Sequence, residues 1–162
     1  MAHNNPFKRF GVVDTNAAAS DSGLAFLMKL LDGTYPAPPF SEVCDIWPVE
    51  VSQGRALFEA QPSARFYNPM GTVHGGWITT MLDSAMGFAV HSMLKAGQTY
   101  TTVELKMNFV RPIFEQTGIV RCEGKIVHSG SRLATAEARL TDAAGKLLAH
   151  GSSTCMIIPV ST

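Results

Sequence analysis

The spacing of apolar residues changes three times along the chain. Residues 1–20 carry no periodic apolar pattern and read as a polar, poorly ordered arm. Leu24, Leu27, Leu30 and Leu31 then recur at helical spacing, with Asp21 or Ser22 placed to cap the start and Gly33 to close the end. Three prolines in Tyr35 to Phe40 hold the chain extended, as a strap over the surface. Residues 42–60 read as two strands around a turn at Gln53-Gly54, and residues 61–75 as a long loop rich in Pro, Asn and Gly. From Gly76 to about Lys95 the pattern is a helix that is apolar nearly all round, closed by Gly97. Such a helix belongs inside a protein.

The last third alternates with period two. Val103, Leu105, Met107 and Phe109 interleave with Glu104, Lys106 and Asn108, the signature of a half-buried strand that Pro112 ends. Residues 118–128 follow, then a turn at Ser129-Gly130-Ser131. Ala134, Ala136, Ala138 and Leu140 interleave with polar residues, and a turn at Asp142 to Gly145 leads into a final strand over 147–158. Turns between neighbouring strands predict an antiparallel meander. The fold class is therefore α+β. One antiparallel sheet of five or six strands wraps around one long central helix inserted after the second strand, because an apolar sheet face and an apolar helix must bury each other. Residues 1–41 form an N-terminal extension of arm, helix and strap, and 42–158 the main domain.

Composition narrows the function classes. The 162 residues suit one domain with its own core. Formal net charge is zero, with no basic patch for nucleic acid and no acidic block. Lack of net repulsion permits self-association. Cys44, Cys122 and Cys155 are odd in number and have no CxxC spacing, which predicts free thiols in a reducing compartment. The segment MAHNNPFKRF has no apolar core of a secretory signal. The longest apolar stretch, Trp77 to Leu94, contains Asp83 and His91 and makes a poor membrane span. A cytoplasmic location is the default.

The chemistry concentrates in residues 68–83. Gly75 and Gly76 stand where free N–H groups of a helix N-terminus would favour a negative oxygen, as an oxyanion hole or simply as a tight loop-to-helix turn. Asp83 lies on the buried helix, in a stripe with Thr79, Gly87 and His91. It is either a structural carboxylate bonded to a neighbouring hydroxyl or amide, or a base or nucleophile whose pKa burial raises. Eight residues of helix separate Gly75 from Asp83, a rise of about 12 Å. One small electrophile cannot touch both from one chain, so joint action requires a dimer with two sites across a two-fold axis. The turn Gly130-Ser131-Arg132 could hold phosphates through amides and guanidinium, or be an ordinary hairpin. His91, His128 and His150 read as structural, with no ligand-like spacing for a metal.

Asn68, Gly71, His74, Gly75, Gly76 and Asp83 together match the pattern Asn/Gln, G-x-x-H-G-G, then Asp/Glu nine residues after the His. In this the chain resembles the hotdog-fold thioesterases, in their phenylacetate-degradation (PaaI-like) branch. Tyr100 to Pro112 and Ala136 to Lys146 fit the same family, so the likeness covers about residues 42–158. The resemblance implies hydrolysis of acyl-CoA in a homo-oligomer, a dimer or a tetramer of paired dimers. It implies no cofactor beyond the coenzyme A of the substrate. Gly75 N–H would polarise the thioester carbonyl, and Asp83 of the facing subunit would attack or activate water. Asn68 would orient substrate or water, His74 would support the loop or contact the thioester, and Thr102 falls beside the carboxylate. Gly71, Gly76, Gly87 and residues 130–132 are the expected substrate contacts. Gly87 departs from relatives that carry Thr there, which implies a roomier acyl pocket. Hotdog proteins also include enoyl-thioester dehydratases and could include acyl-CoA sensors, so these two readings stand beside the hydrolase.

Overall fold

A computed structural model describes residues 5–160. The six strands are β1 (Ile46–Ser52), β2 (Arg55–Ala60), β3 (Gln98–Phe109), β4 (Val120–Ser129), β5 (Leu133–Thr141) and β6 (Leu147–Pro159). They form one antiparallel sheet in the order β1-β2-β4-β5-β6-β3. Helix α4 (Gly75–His91) lies against its concave face and buries Trp77, Ile78, Met81, Leu82, Ala85, Met86, Ala89 and Val90. Small inward residues let the two backbones meet: Ala56 and Ala60, Ala134, Ala136 and Ala138, and Gly124. A Cβ on Gly124 would lie 2.2 Å from the Ala85 carbonyl oxygen, so no other residue fits between α4 and β4 at that point. The fold matches the architecture expected of the sequence, with the helix inserted after the second strand.

Four details differ from the reading of the sequence. The arm is ordered from Asn5 onward, residues 1–4 lying outside the described part. Asn5 is buried and donates from Nδ2 to the Ser41 carbonyl at 3.0 Å, and Gly11 N–H donates to Ala37 O at 2.9 Å. Helix α1 (Thr15–Ser20) forms with Asp14 as its cap, ahead of the expected α2 (Gly23–Leu31), which Ser22 caps. The strap is extended only to Pro38; Pro39, whose φ suits a first helical position, starts α3 (Pro39–Cys44). α4 stops at His91, because Ser92 turns back to accept from Gly54 N–H and donate to Ala89 O.

A further difference lies on β3. A bulge at Val103 breaks the alternation: Thr102 pairs with Cys155 but Glu104 with Thr154. The extra residue reverses the phase, so Tyr100 and Thr102 share the α4-facing side with Leu105, Met107 and Phe109. Among the described residues β3 also has no neighbour on its outer edge. Val103, Leu105 and Phe109 are consequently exposed rather than half-buried.

Candidate active site

Asn68 to Thr72 is a loop that staples itself. The Asn68 Oδ1 accepts from the amides of Met70 (2.9 Å) and Thr72 (3.2 Å), and its Nδ2 donates to Thr72 Oγ1 at 2.9 Å. Gly71 supplies the left-handed turn, at φ 81°. One Nδ2 hydrogen of Asn68 remains for another partner. The loop ends on His74, the N-cap of α4, whose Nδ1 accepts from Gly76 N–H at 2.8 Å. A Cβ on Gly76 would sit 3.0 Å from that Nδ1, so Gly76 makes room for the cap. An accepting Nδ1 puts the hydrogen of the neutral ring on Nε2.

The caps distribute the free amides of the helix start. Trp77 and Ile78 N–H both reach the His74 carbonyl, at 3.0 and 3.4 Å, and Gly76 N–H reaches the imidazole. Among the described residues nothing accepts from Gly75 N–H. It borders a cleft of about 320 Å³ formed with Asn68, Thr72, Phe109, Arg111 and Pro112. One unpaired donor at the positive end of a 17-residue helix, facing a cleft, is suited to an oxygen that gains negative charge.

Asp83 is on the same helix, half-buried, with Thr102 Oγ1 donating to its Oδ1 at 3.0 Å. Burial pushes its carboxyl above the usual range, and the Thr102 bond pulls partly the other way. Among the described residues Asp83 forms no ion pair. A carboxylate lifted by burial and uncompensated by a cation is poised as a base. It stands about 12 Å along α4 from Gly75, and the fold does not bring the two together within one chain.

The structure therefore sorts the expected site residues into two groups. Asn68, Gly71, His74, Gly75 and Gly76 meet at the start of α4, where Phe109 and Arg111 join them. Asp83, Thr102 and Gly87 meet midway, where Tyr100 joins them. The turn 130–132 belongs to neither group in direct contact. Gly130 N–H closes the hairpin onto Leu133 O at 2.9 Å, which takes it away from any phosphate, while the side chains of Ser131 and Arg132 are exposed. The room expected at Gly87 is filled: a Cβ there would lie 2.2 Å from the Tyr100 hydroxyl. Tyr100 was findable, being two residues before Thr102 on one strand and so on its face. Phe109 and Arg111 depend on how β3 runs back past the helix start, which no local pattern specifies.

Comparison with known proteins identifies the family and the fold. The family model of the thioesterase superfamily matches residues 70–149. A candidate esterase of Saccharolobus solfataricus is 33% identical over 103 residues, covering 64% of this chain and 71% of that one. The 1,4-dihydroxy-2-naphthoyl-CoA hydrolase of Listeria monocytogenes is 23% identical over 100 residues, covering 62% of this chain and 80% of that one. Among solved structures, a phenylacetic acid degradation-related thioesterase candidate of Ralstonia eutropha superposes with a TM-score of 0.73 at 27% identity, covering 80% of this chain and 97% of that one. The chain belongs to the thioesterase superfamily and carries its hotdog fold.

Proposed function

We propose that the protein hydrolyses acyl-CoA thioesters to free acid and CoA, in a homo-oligomer whose sites each join Gly75 of one copy to Asp83 of another. The observation that carries this reading is the separation of the unpaired Gly75 amide from the half-buried Asp83 on one rigid helix. The unpaired, apolar edge of β3 supports the oligomer. Antiparallel pairing of two such edges about a two-fold axis would also run the two α4 helices antiparallel, start of one beside middle of the other. The likeness to a naphthoyl-CoA hydrolase supports CoA as the carrier.

The chemistry is short. Gly75 N–H donates to the thioester carbonyl oxygen and stabilises the charge that builds there as the carbon becomes tetrahedral. Asp83 attacks that carbon or takes a proton from the attacking water, with Thr102 fixing the carboxylate orientation. The C–S bond breaks and the thiolate leaves with the electron pair, unaided by an acid because thiol pKa values lie at about 8.5; where Asp83 itself attacked, water then cleaves the acyl-Asp83 anhydride to free acid and restores the carboxylate. Asn68 holds the loop that sets His74, and His74 holds the helix start. The dehydratase reading needs an imidazole free to take a proton. His74 commits its Nδ1 to the Gly76 amide, which counts against that reading.

The test is thiol release from acetyl-, hexanoyl-, palmitoyl- and phenylacetyl-CoA by the wild type and Asp83→Ala. The expected result is release by the wild type and a loss of about 100-fold or more in the variant, with the oligomer intact. Equal rates would make Asp83 structural. Hydration of an enoyl-CoA without thiol release would make the protein a dehydratase, and tight binding of intact acyl-CoA over hours would make it a sensor.

A further inference from the structure

We propose that Tyr100 is the end-stop of the acyl pocket, and that the N-terminal extension sets its position through Phe26 and His91. This rests on the reading of Asp83 as the reacting carboxylate. Tyr100 faces α4 beside Thr102, and its phenol lies directly over Gly87, one helical turn or about 6 Å beyond Asp83. An acyl group held with its carbonyl at Asp83 and directed along α4 towards His91 therefore meets the phenol within one turn. Any side chain at position 87 would displace the hydroxyl, since even a Cβ would be 2.2 Å from it. Glycine and tyrosine act here as one unit.

The phenol is backed on its far side. His91, a further turn along α4, meets Tyr100 edge-on with ring centroids 5.8 Å apart. Phe26 of α2 stacks on the other face of the imidazole at 5.1 Å, and Tyr35 packs on Phe26 at 5.2 Å. Burial holds the His91 pKa down to about 4, so the ring is an uncharged packing element at neutral pH. α2 is seated closely on the end of α4. Gly23 N–H donates to Leu94 O at 2.9 Å, and a Cβ on Gly23 would overlap the His91 carbonyl oxygen at 1.7 Å. Asp21 anchors the extension from below, bridging Lys29 at 2.7 Å and the Tyr35 hydroxyl at 2.8 Å. The stack runs without a gap from the extension to the wall of the site. Phe26 and His91 are positioning residues; Tyr100 is the residue the acyl group touches. Among the described residues the Tyr100 hydroxyl has no hydrogen-bond partner, and burial keeps it protonated. The pocket accordingly takes compact acyl groups and excludes long chains.

The experiment compares kcat/KM for acetyl-, butyryl-, hexanoyl-, octanoyl- and decanoyl-CoA on the wild type, Tyr100→Ala, Tyr100→Phe and Phe26→Ala. Binding of the matching non-hydrolysable S-alkyl-CoA thioethers is measured by calorimetry alongside. The wild type is expected to decline beyond the short acyl groups. Tyr100→Ala should raise the octanoyl-to-butyryl ratio by about tenfold or more, Phe26→Ala should shift it the same way by less, and Tyr100→Phe should keep the wild-type cut-off. Merely structural roles would lower all rates together without reordering the chain lengths. An unchanged ranking in a folded Tyr100→Ala that still hydrolyses would overturn the end-stop and leave the thioesterase reading standing. Should the wild type release no thiol yet bind the thioethers, their ranking decides the end-stop alone. No binding of any thioether would overturn both. Tyr100→Leu serves the same comparison should the alanine variant fail to fold.

Discussion

The contact between Gly124 of β4 and the Ala85 turn of α4 makes a severe test of how the fold carries the site. In Gly124→Ala the new methyl would meet the Ala85 carbonyl oxygen at 2.2 Å, its carbon at 2.4 Å and the Met86 nitrogen at 2.8 Å. All three are backbone atoms, so no rotamer change relieves the clash. Ordinary contact begins near about 3.5 Å, and the helix must therefore lift by more than about 1 Å along its middle. Overpacking of this kind costs about 3 kcal/mol, the upper part of its usual range, because Met81, Leu82, Ala85 and Met86 lose close contact with the sheet together. For a chain of this size that lowers the melting temperature by about 6–12 °C. The control is Gly11→Ala, whose Cβ would meet only Pro36 atoms at an ordinary 3.6 Å, and which should melt within about 2 °C of the wild type. The assay is calorimetric melting of the three proteins at equal concentration, so that self-association affects them alike. The same lift would draw Asp83 away from Thr102, so hydrolysis should fall further than the folded fraction does. A Gly124→Ala protein that melts with the wild type would refute the argument that this single missing side chain sets the helix-to-sheet distance.

Removing the Thr102 hydroxyl gives the pH test. Burial raises the Asp83 pKa and the Thr102 bond lowers it, so Thr102→Val leaves burial unopposed and the pKa rises. A base works only when deprotonated, so the acid limb of kcat/KM should move to higher pH, and a limb that stays or moves lower would contradict the assignment. Leu105→Lys puts a charge on the exposed inner side of the unpaired β3 edge. Sedimentation should show smaller species, and hydrolysis should fall with the oligomer; full activity in a monomer would end the shared-site reading.

Much of the architecture was legible because its causes are local. Ala134, Ala136, Ala138 and Leu140 alternate so strictly that β5 could be nothing else, and the helix read from Gly76 had to be central because it is apolar nearly all round. The nearness of Thr102 to Asp83 was implied by the family resemblance and not by any local pattern, and the N-cap role of His74 was not read from the sequence. What escaped depends on distant partners. The arm lacks apolar periodicity and is ordered by Asn5 reaching Ser41 and Gly11 reaching Ala37, contacts no nearby residue announces. The Val103 bulge inserts one residue into a strand whose alternation looks continuous, so the face assignment of residues 103–109 was sound in period and wrong in environment. Gly87 read as empty space because the residue that fills it is on another strand.

The strand order has a bearing on how the chain is made. β3 follows α4 directly, yet its partner is β6, whose pairing residues begin at Ala149. During synthesis α4 and β3 emerge early and wait for some forty residues more before the sheet can close around the helix. Through that interval the apolar helix and both edges of β3 are uncovered, the kind of surface that favours aggregation. On the proposed pairing, β3 offers a second copy an ordered edge once β6 holds it in the sheet, so assembly would report that β6 is in place. A chain interrupted within β6 would leave β3 without its ladder of bonds and, on the proposed pairing, without an ordered edge to present to a second copy.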